Sequence, residues 1–210
     1  MPTQTFFNLP EDKKQRILDA AIEEFASYPF NEVSVAKIIQ KANIPRGSFY
    51  QYFSDLKDLY KYLFRVIADK KIVYLNRVNL DQEKGDFLKT IRSLYIAGLQ
   101  FAVEEPQLTQ IANRFMKEDE NFRKEIMGSL EGKTTDFYYN LLLACKAKGE
   151  IDENVDLEMA AFIFTTMNLA LLDYFLPKLQ GGDLLKEKDF LVETVDKMFY
   201  ILTNGIKKRN

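Results

Sequence analysis

Histidine is absent from this chain of 210 residues, and there is a single cysteine, Cys145. Without histidine the commonest general base, the histidine-containing nucleophile arrangements and the histidine metal sites are all missing. One cysteine excludes an intramolecular disulfide and a cysteine pair for zinc, and fits a reducing compartment. No phosphate-binding glycine loop is present, and the many carboxylates form no recognisable catalytic motif. Long hydrophobic runs are missing too. The longest uncharged run, Met159 to Leu172, has 14 residues and contains Thr165, Thr166 and Asn168, whereas a membrane span needs about 20. The opening MPTQTFFNLP lacks the charged and apolar regions of a signal peptide. The expectation is a cytoplasmic protein that is not an enzyme, with no metal, no cofactor and no membrane partner.

Net charge is also small, at −2, so bulk charge carries no nucleic-acid signal. Its distribution is mildly uneven: residues 1–80 carry a net +3 and the remainder a net −5. That permits a DNA contact near the N-terminus without requiring one. At 47% hydrophobic and 29% charged, the chain is globular and long enough to bury a substantial core.

Helical spacing dominates what is present. The first ten residues read as a loose arm. Pro10, Glu11 and Asp12 open a helix in which Ile17, Leu18, Ala21, Ile22 and Phe25 form an apolar stripe, and Pro29 ends it. Ser34 is an N-cap for a two-turn helix with Val35, Ile38, Ile39 and Ala42 on one face. Asn43 suits the left-handed conformation that closes a helix, and Pro45 suits the first turn of the next, which runs through Tyr52 or Phe53. Two short helices across such a turn make a helix-turn-helix. In the second, Phe49 and Phe53 face inward and leave Arg46, Gly47, Ser48, Tyr50 and Gln51 facing out. A set of outward donors beside a glycine matches what a major groove demands, although spacing alone fits an ordinary helical hairpin equally well.

The order of residue types separates these readings. The stretch VSVAKIIQKANIPRGSFYQYFSDLKDLY, at Val33–Tyr60, resembles the DNA-binding motif of the TetR family of bacterial transcriptional regulators. Ala42, Ile44, Gly47, Ser48, Phe49, Tyr50, Tyr52, Phe53 and Leu59 fall on the family's positions, and ILDAAIEEFA resembles its first helix. The resemblance spans about residues 14–62. It implies that Arg46, Ser48 and Gln51 point at base edges and that Ser34, Tyr50 and Tyr52 hold phosphates. It also implies that Gly47 allows close approach to the duplex. Two departures stand out: Pro45 replaces a capping Ser, and Leu56 takes the place of the family's Lys, with Lys57 one residue later as the candidate phosphate contact.

Beyond this stretch, helices are expected at 55–78, 87–103, 106–116, 119–148, 157–176 and 183–205, with residues 80–86 as a linker and Gly128 and Gly132 as possible breaks. The expected architecture is all-α, with about nine helices. A three-helix DNA-binding domain at 1–66 precedes a ligand-binding and dimerisation domain at 67–210. The helix from Leu157 is apolar nearly all round, which implies burial on several sides. The family pairs its last two long helices across a homodimer. This makes Phe164, Leu171, Phe175, Met198, Phe199 and Leu202 the candidate interface, and a pseudo-palindromic double-stranded operator the expected partner. By the same resemblance, a small-molecule effector would bind the second domain and release a repressor from DNA, and the richness of the second half in Phe and Tyr points to a bulky apolar one. Phe115, Tyr138 and Asn168 are the candidate ligand contacts. The alternative is an all-helical small-molecule-binding or scaffolding protein that does not bind DNA.

Overall fold

The computed structural model describes residues 1–76, 87–128, 133–175, 178 and 184–206. These residues contain eleven α-helices and no strand. In chain order they are α1 (Gln4–Phe7), α2 (Glu11–Ser27), α3 (Val35–Ala42), α4 (Arg46–Tyr52), α5 (Leu56–Leu75), α6 (Phe87–Glu104), α7 (Pro106–Met116), α8 (Glu120–Met127), α9 (Lys133–Ala147), α10 (Leu157–Phe175) and α11 (Leu184–Asn204). A 3-10 turn, Phe30–Glu32, joins α2 to α3.

The two helices beyond the expected nine have local causes. Residues 1–10 are not a loose arm, because α1 forms there and buries Phe6 completely. The expected helix over 119–148 is divided. Gly128 adopts φ +52° at the end of α8, a conformation that L side chains rarely adopt. The expected linker at 80–86, and Gly132, lie outside the described residues.

The chain forms two compact units, and one cut near residue 66 does not separate them. The first unit comprises Met1–Lys70 and Glu105–Glu131; the second comprises Lys71–Glu104 and Gly132–Asn210. Helices α7 and α8 therefore belong with the N-terminal unit. Leu108, Ile111 and Phe115 of α7 are buried in it, and the Phe115 ring lies 4.3 Å from Phe64. The guanidinium of Arg114 donates to the carbonyls of Phe25 (3.2 Å) and Ala26 (2.5 Å). Those carbonyls end α2 without helical partners, and a cation there also suits the negative end of the helix dipole.

The second unit has its own core. It contains Phe87, Ile91, Tyr95 and Leu99 of α6, Tyr138, Leu142 and Cys145 of α9, Ala161, Phe164 and Leu171 of α10, and Leu191, Val195 and Phe199 of α11. Each set recurs at steps of three, four or seven residues, the spacing that puts side chains on one helix face. A buried aromatic or Leu side chain contributes roughly 1.5–3 kcal/mol over leaving it exposed. The Tyr95 hydroxyl donates to the Phe164 carbonyl at 2.5 Å, so the polar tip of the largest buried ring is satisfied.

Candidate nucleic-acid interface

The candidate interface is built on α3 and α4. Ser34 caps α3: its Oγ accepts from the Lys37 backbone N–H at 3.4 Å. The Ser34 N–H in turn donates to the carboxylate of Glu24, which is fully buried. Glu24 also receives Lys41 Nζ at 3.4 Å and has Lys37 Nζ at 3.8 Å, so a buried carboxylate fixes the start of α3 and draws two cations to it. Lys41 is bound more tightly by Glu23, at 2.8 Å, and that hydrogen bond holds its pKa above the ordinary lysine value.

The turn has the geometry of a left-handed helix cap. Asn43 sits at φ 51°, ψ 54°; its N–H donates to Gln40 O, and Ile44 N–H reaches back to Ile39 O. This paired closure satisfies carbonyls that the end of α3 would otherwise leave open. Pro45 precedes α4 at φ −63° as its N-cap, one place earlier than the first helical position expected from the sequence. Phe49 and Phe53 are fully buried, which fixes the rotation of α4 about its axis. Arg46, Gly47, Tyr50 and Gln51 are then exposed and Ser48 half-buried. Among the described residues Arg46 makes no ion pair, so its guanidinium is free for an external anion.

A Cβ added at Gly47 would meet nothing within 4 Å, and its backbone is ordinary helix. Nothing inside the protomer therefore requires glycine at this exposed position.

Two sequence-derived contacts change. Tyr52 is only 3% exposed, its ring lying 6.2 Å from Phe6 with Lys13 Nζ 5.6 Å above it, so it is a core residue and not a phosphate contact. Its place four residues after the inward Ser48 edge puts it on the buried side of α4. Lys57 is held by Glu125 of α8, with its Nζ at 2.8 and 2.9 Å from the two carboxylate oxygens. Any phosphate contact must compete with that pair. One residue was missed: Lys37 is exposed in the first turn of α3, three residues after Ser34, with its Nζ 4.4 Å from the centre of the Tyr28 ring. Its signal was simply a lysine in the first turn after the cap.

Two of the three ligand candidates lie together. Tyr138 and Asn168 meet in the second unit, where Asn168 Nδ2 donates to the Tyr138 hydroxyl at 3.0 Å. Phe115 belongs to the first unit and packs against Phe64. Among the interface candidates, Phe164, Leu171 and Phe199 are buried in the protomer's own core, Met198 is half-buried against it and Leu202 is exposed. Phe175 lies in α10, with its side chain outside the described residues. The helix that reads as apolar all round has two distinct faces. Ala161, Phe164 and Leu171 point in, while Met159, Phe162, Ile163 and Tyr174 remain exposed.

A capped α3, a left-handed turn and an α4 with a buried aromatic face and an exposed polar face define a helix-turn-helix DNA-binding protein. Residues 17–63 match the family model described as bacterial regulatory proteins, tetR family. Residues 85–207 match the tetracyclin repressor-like C-terminal domain. The chain belongs to the TetR family and is a DNA-binding transcriptional regulator. It is 23% identical over 190 residues to a "Probable acrEF/envCD operon repressor" of Escherichia coli K12, covering 89% of this chain and 86% of that protein. Among solved structures, a TetR family transcriptional regulator from Chloroflexus aurantiacus J-10-FL superposes with a TM-score of 0.76 at 29% identity over the whole of both chains. The FadR regulator of Bacillus subtilis, solved with stearoyl-CoA, superposes with a TM-score of 0.72 at 20% identity, covering 92% of this chain and 99% of that one. None of the described helices is long and apolar enough to cross a membrane.

Proposed function

We propose that this regulator is a homodimeric repressor that holds a pseudo-palindromic operator through α3 and α4. The observation that carries the reading is the exposed set Arg46, Gly47, Tyr50 and Gln51 on a helix whose other face is locked into the core. Arg46 and Gln51 address base edges, where Arg pairs with guanine O6/N7 and Gln with adenine N6/N7. Ser34, Tyr50 and Lys37 fix register on phosphates. The name of the Escherichia coli relative favours repression.

Dimerisation uses the outer faces of α10 and α11. Phe162 is 60% exposed and Tyr200 67%, with Met159, Ile163, Tyr174, Ile201 and Leu202 also exposed. So many large apolar side chains on two helices are what an interface would cover. The effector is bulky and apolar and binds the second unit, with Tyr138 and Asn168 as its polar contacts. The stearoyl-CoA complex of the Bacillus subtilis relative makes a long-chain acyl thioester the first class to test. Effector and operator are then coupled reciprocally, each weakening the other by the same factor.

The test is selection of bound fragments from a genomic library, followed by titration of the enriched fragment with and without stearoyl-CoA. A two-fold-related site released by the thioester is expected, with CoA alone inert. Uniform retention of all fragments would contradict sequence reading, and release by neither ligand would remove this effector class.

A further inference from the structure

We propose that the segment Thr3–Phe6 is a clamp that positions the C-terminal end of α4, and with it Gln51, for base reading. The inference rests on the DNA-reading role of α4 given above. Helix α4 has only seven residues; the Phe49 carbonyl accepts from the Phe53 cap N–H, and the carbonyls of Gln51 and Tyr52 at its end look beyond the helix for donors. Thr3 supplies donors to two of them. Its N–H donates to Tyr52 O at 2.9 Å, and its hydroxyl donates to Gln51 O at 2.6 Å. Three residues on, Phe6 is fully buried, its ring 4.9 Å from Phe53, 5.3 Å from Tyr62 and 6.2 Å from Tyr52. The segment thus holds residues 51–53 by two hydrogen bonds and an aromatic anchor. These residues precede the stretch 17–63 that the family's DNA-binding model matches.

The physical consequence follows from helix length. A helix of two turns is marginal alone, and its last turn frays unless tertiary contacts hold it. Gln51 sits in that last turn. Base discrimination by a bidentate amide requires a fixed side-chain origin, so loosening the turn erodes discrimination before it erodes phosphate binding. Thr3 touches no base in this account; it is a positioning residue.

The experiment uses the full chain with Thr3→Val, which removes the hydroxyl donor and keeps the shape, Thr3→Ser, which restores it, and Phe6→Leu as a second route. Two readouts are made. Amide exchange at Tyr52 and Phe53 needs no DNA, and is expected to quicken by about threefold to tenfold in Thr3→Val, the worth of one ordinary hydrogen bond, and to return in Thr3→Ser. Discrimination between the selected operator and its variant at the base paired with Gln51 should fall by a similar factor, with the salt slope unchanged. Unchanged exchange in both Thr3→Val and Phe6→Leu overturns the clamp whatever the DNA result. Faster exchange with undiminished discrimination, or an equal loss on all sequences, overturns its role in reading. If the unaltered protein shows no sequence preference, the DNA reading fails and the exchange result alone judges the clamp.

Discussion

Replacing Gly47 by Ala should stabilise the protein and weaken its grip on DNA. Gly47 is the second residue of α4, exposed, with open space around a built Cβ. No clash opposes the methyl group, and Ala loses less backbone entropy than Gly on entering a helix. The gain is about 0.5–1 kcal/mol, nearer the lower figure because the position lies in the first turn. The same methyl stands between Arg46 and Ser48, on the face proposed to enter the groove. If it holds the helix off the bases enough to lose one good contact per half-site, the cost is at least about 1 kcal/mol per subunit. A dimer counts that twice, giving about a 30-fold loss of operator affinity. Urea unfolding and fluorescence anisotropy on the same preparations measure the two signs. A variant that is more stable and binds the operator as tightly as before would refute close approach at Gly47. One that is destabilised would refute the reading of its surroundings as open.

Three further outcomes follow from named contacts. Glu125→Gln should free Lys57 and tighten DNA binding by up to about fivefold per subunit, since an exposed ion pair is worth at most about 1 kcal/mol; adding Lys57→Gln must cancel the gain, and a gain that survives would assign it to lost acidic repulsion instead. Phe162→Glu should give a folded monomer in sedimentation, while Phe164→Glu, at a position 9% exposed, should unfold the second unit; a dimeric Phe162→Glu chain would count against the outer faces of α10 and α11. Burial pushes the phenols of Tyr60, Tyr95 and Tyr138 above the ordinary tyrosine value, against smaller opposing effects of Arg114 on Tyr60 and of the Asn168 hydrogen bond on Tyr138. Because the folded pKa is the higher one, their stabilisation is full below about pH 10, where unfolded tyrosine ionises, and declines as pH rises further. Of the 11 tyrosines these three should ionise together with loss of the helical signal; ionisation near pH 10 with helicity intact would show that they are accessible.

Local features were the readable ones. Ser34, Asn43 and the spacing of Phe49 and Phe53 each carry their own structural instruction, and the cap, the left-handed turn and the rotation of α4 follow from them. The family order of residues around Gly47 then gave the chemistry of the exposed face. What depended on distant partners was not readable. Tyr52 looks like a surface phenol until Phe6, far earlier in the chain, is placed beside it. Lys57 looks like a free cation until Glu125, 68 residues on, is brought to it. Burial of α7 and α8 with the N-terminal helices depends on Arg114 finding two carbonyls at the end of α2. On α10, composition could count the apolar residues but not assign them to a face; a helix apolar all round has no hydrophobic period to read.

The salt dependence of operator binding tests the central claim most directly. Each cation placed on a phosphate releases counterions and adds about −0.9 to the slope of log K against log salt. With Lys37 and Lys57 on phosphates in both subunits the slope should be about −3.6, and about −1.8 if Glu125 keeps Lys57. A slope near zero, with equal retention of all sequences, would contradict DNA reading by α3 and α4.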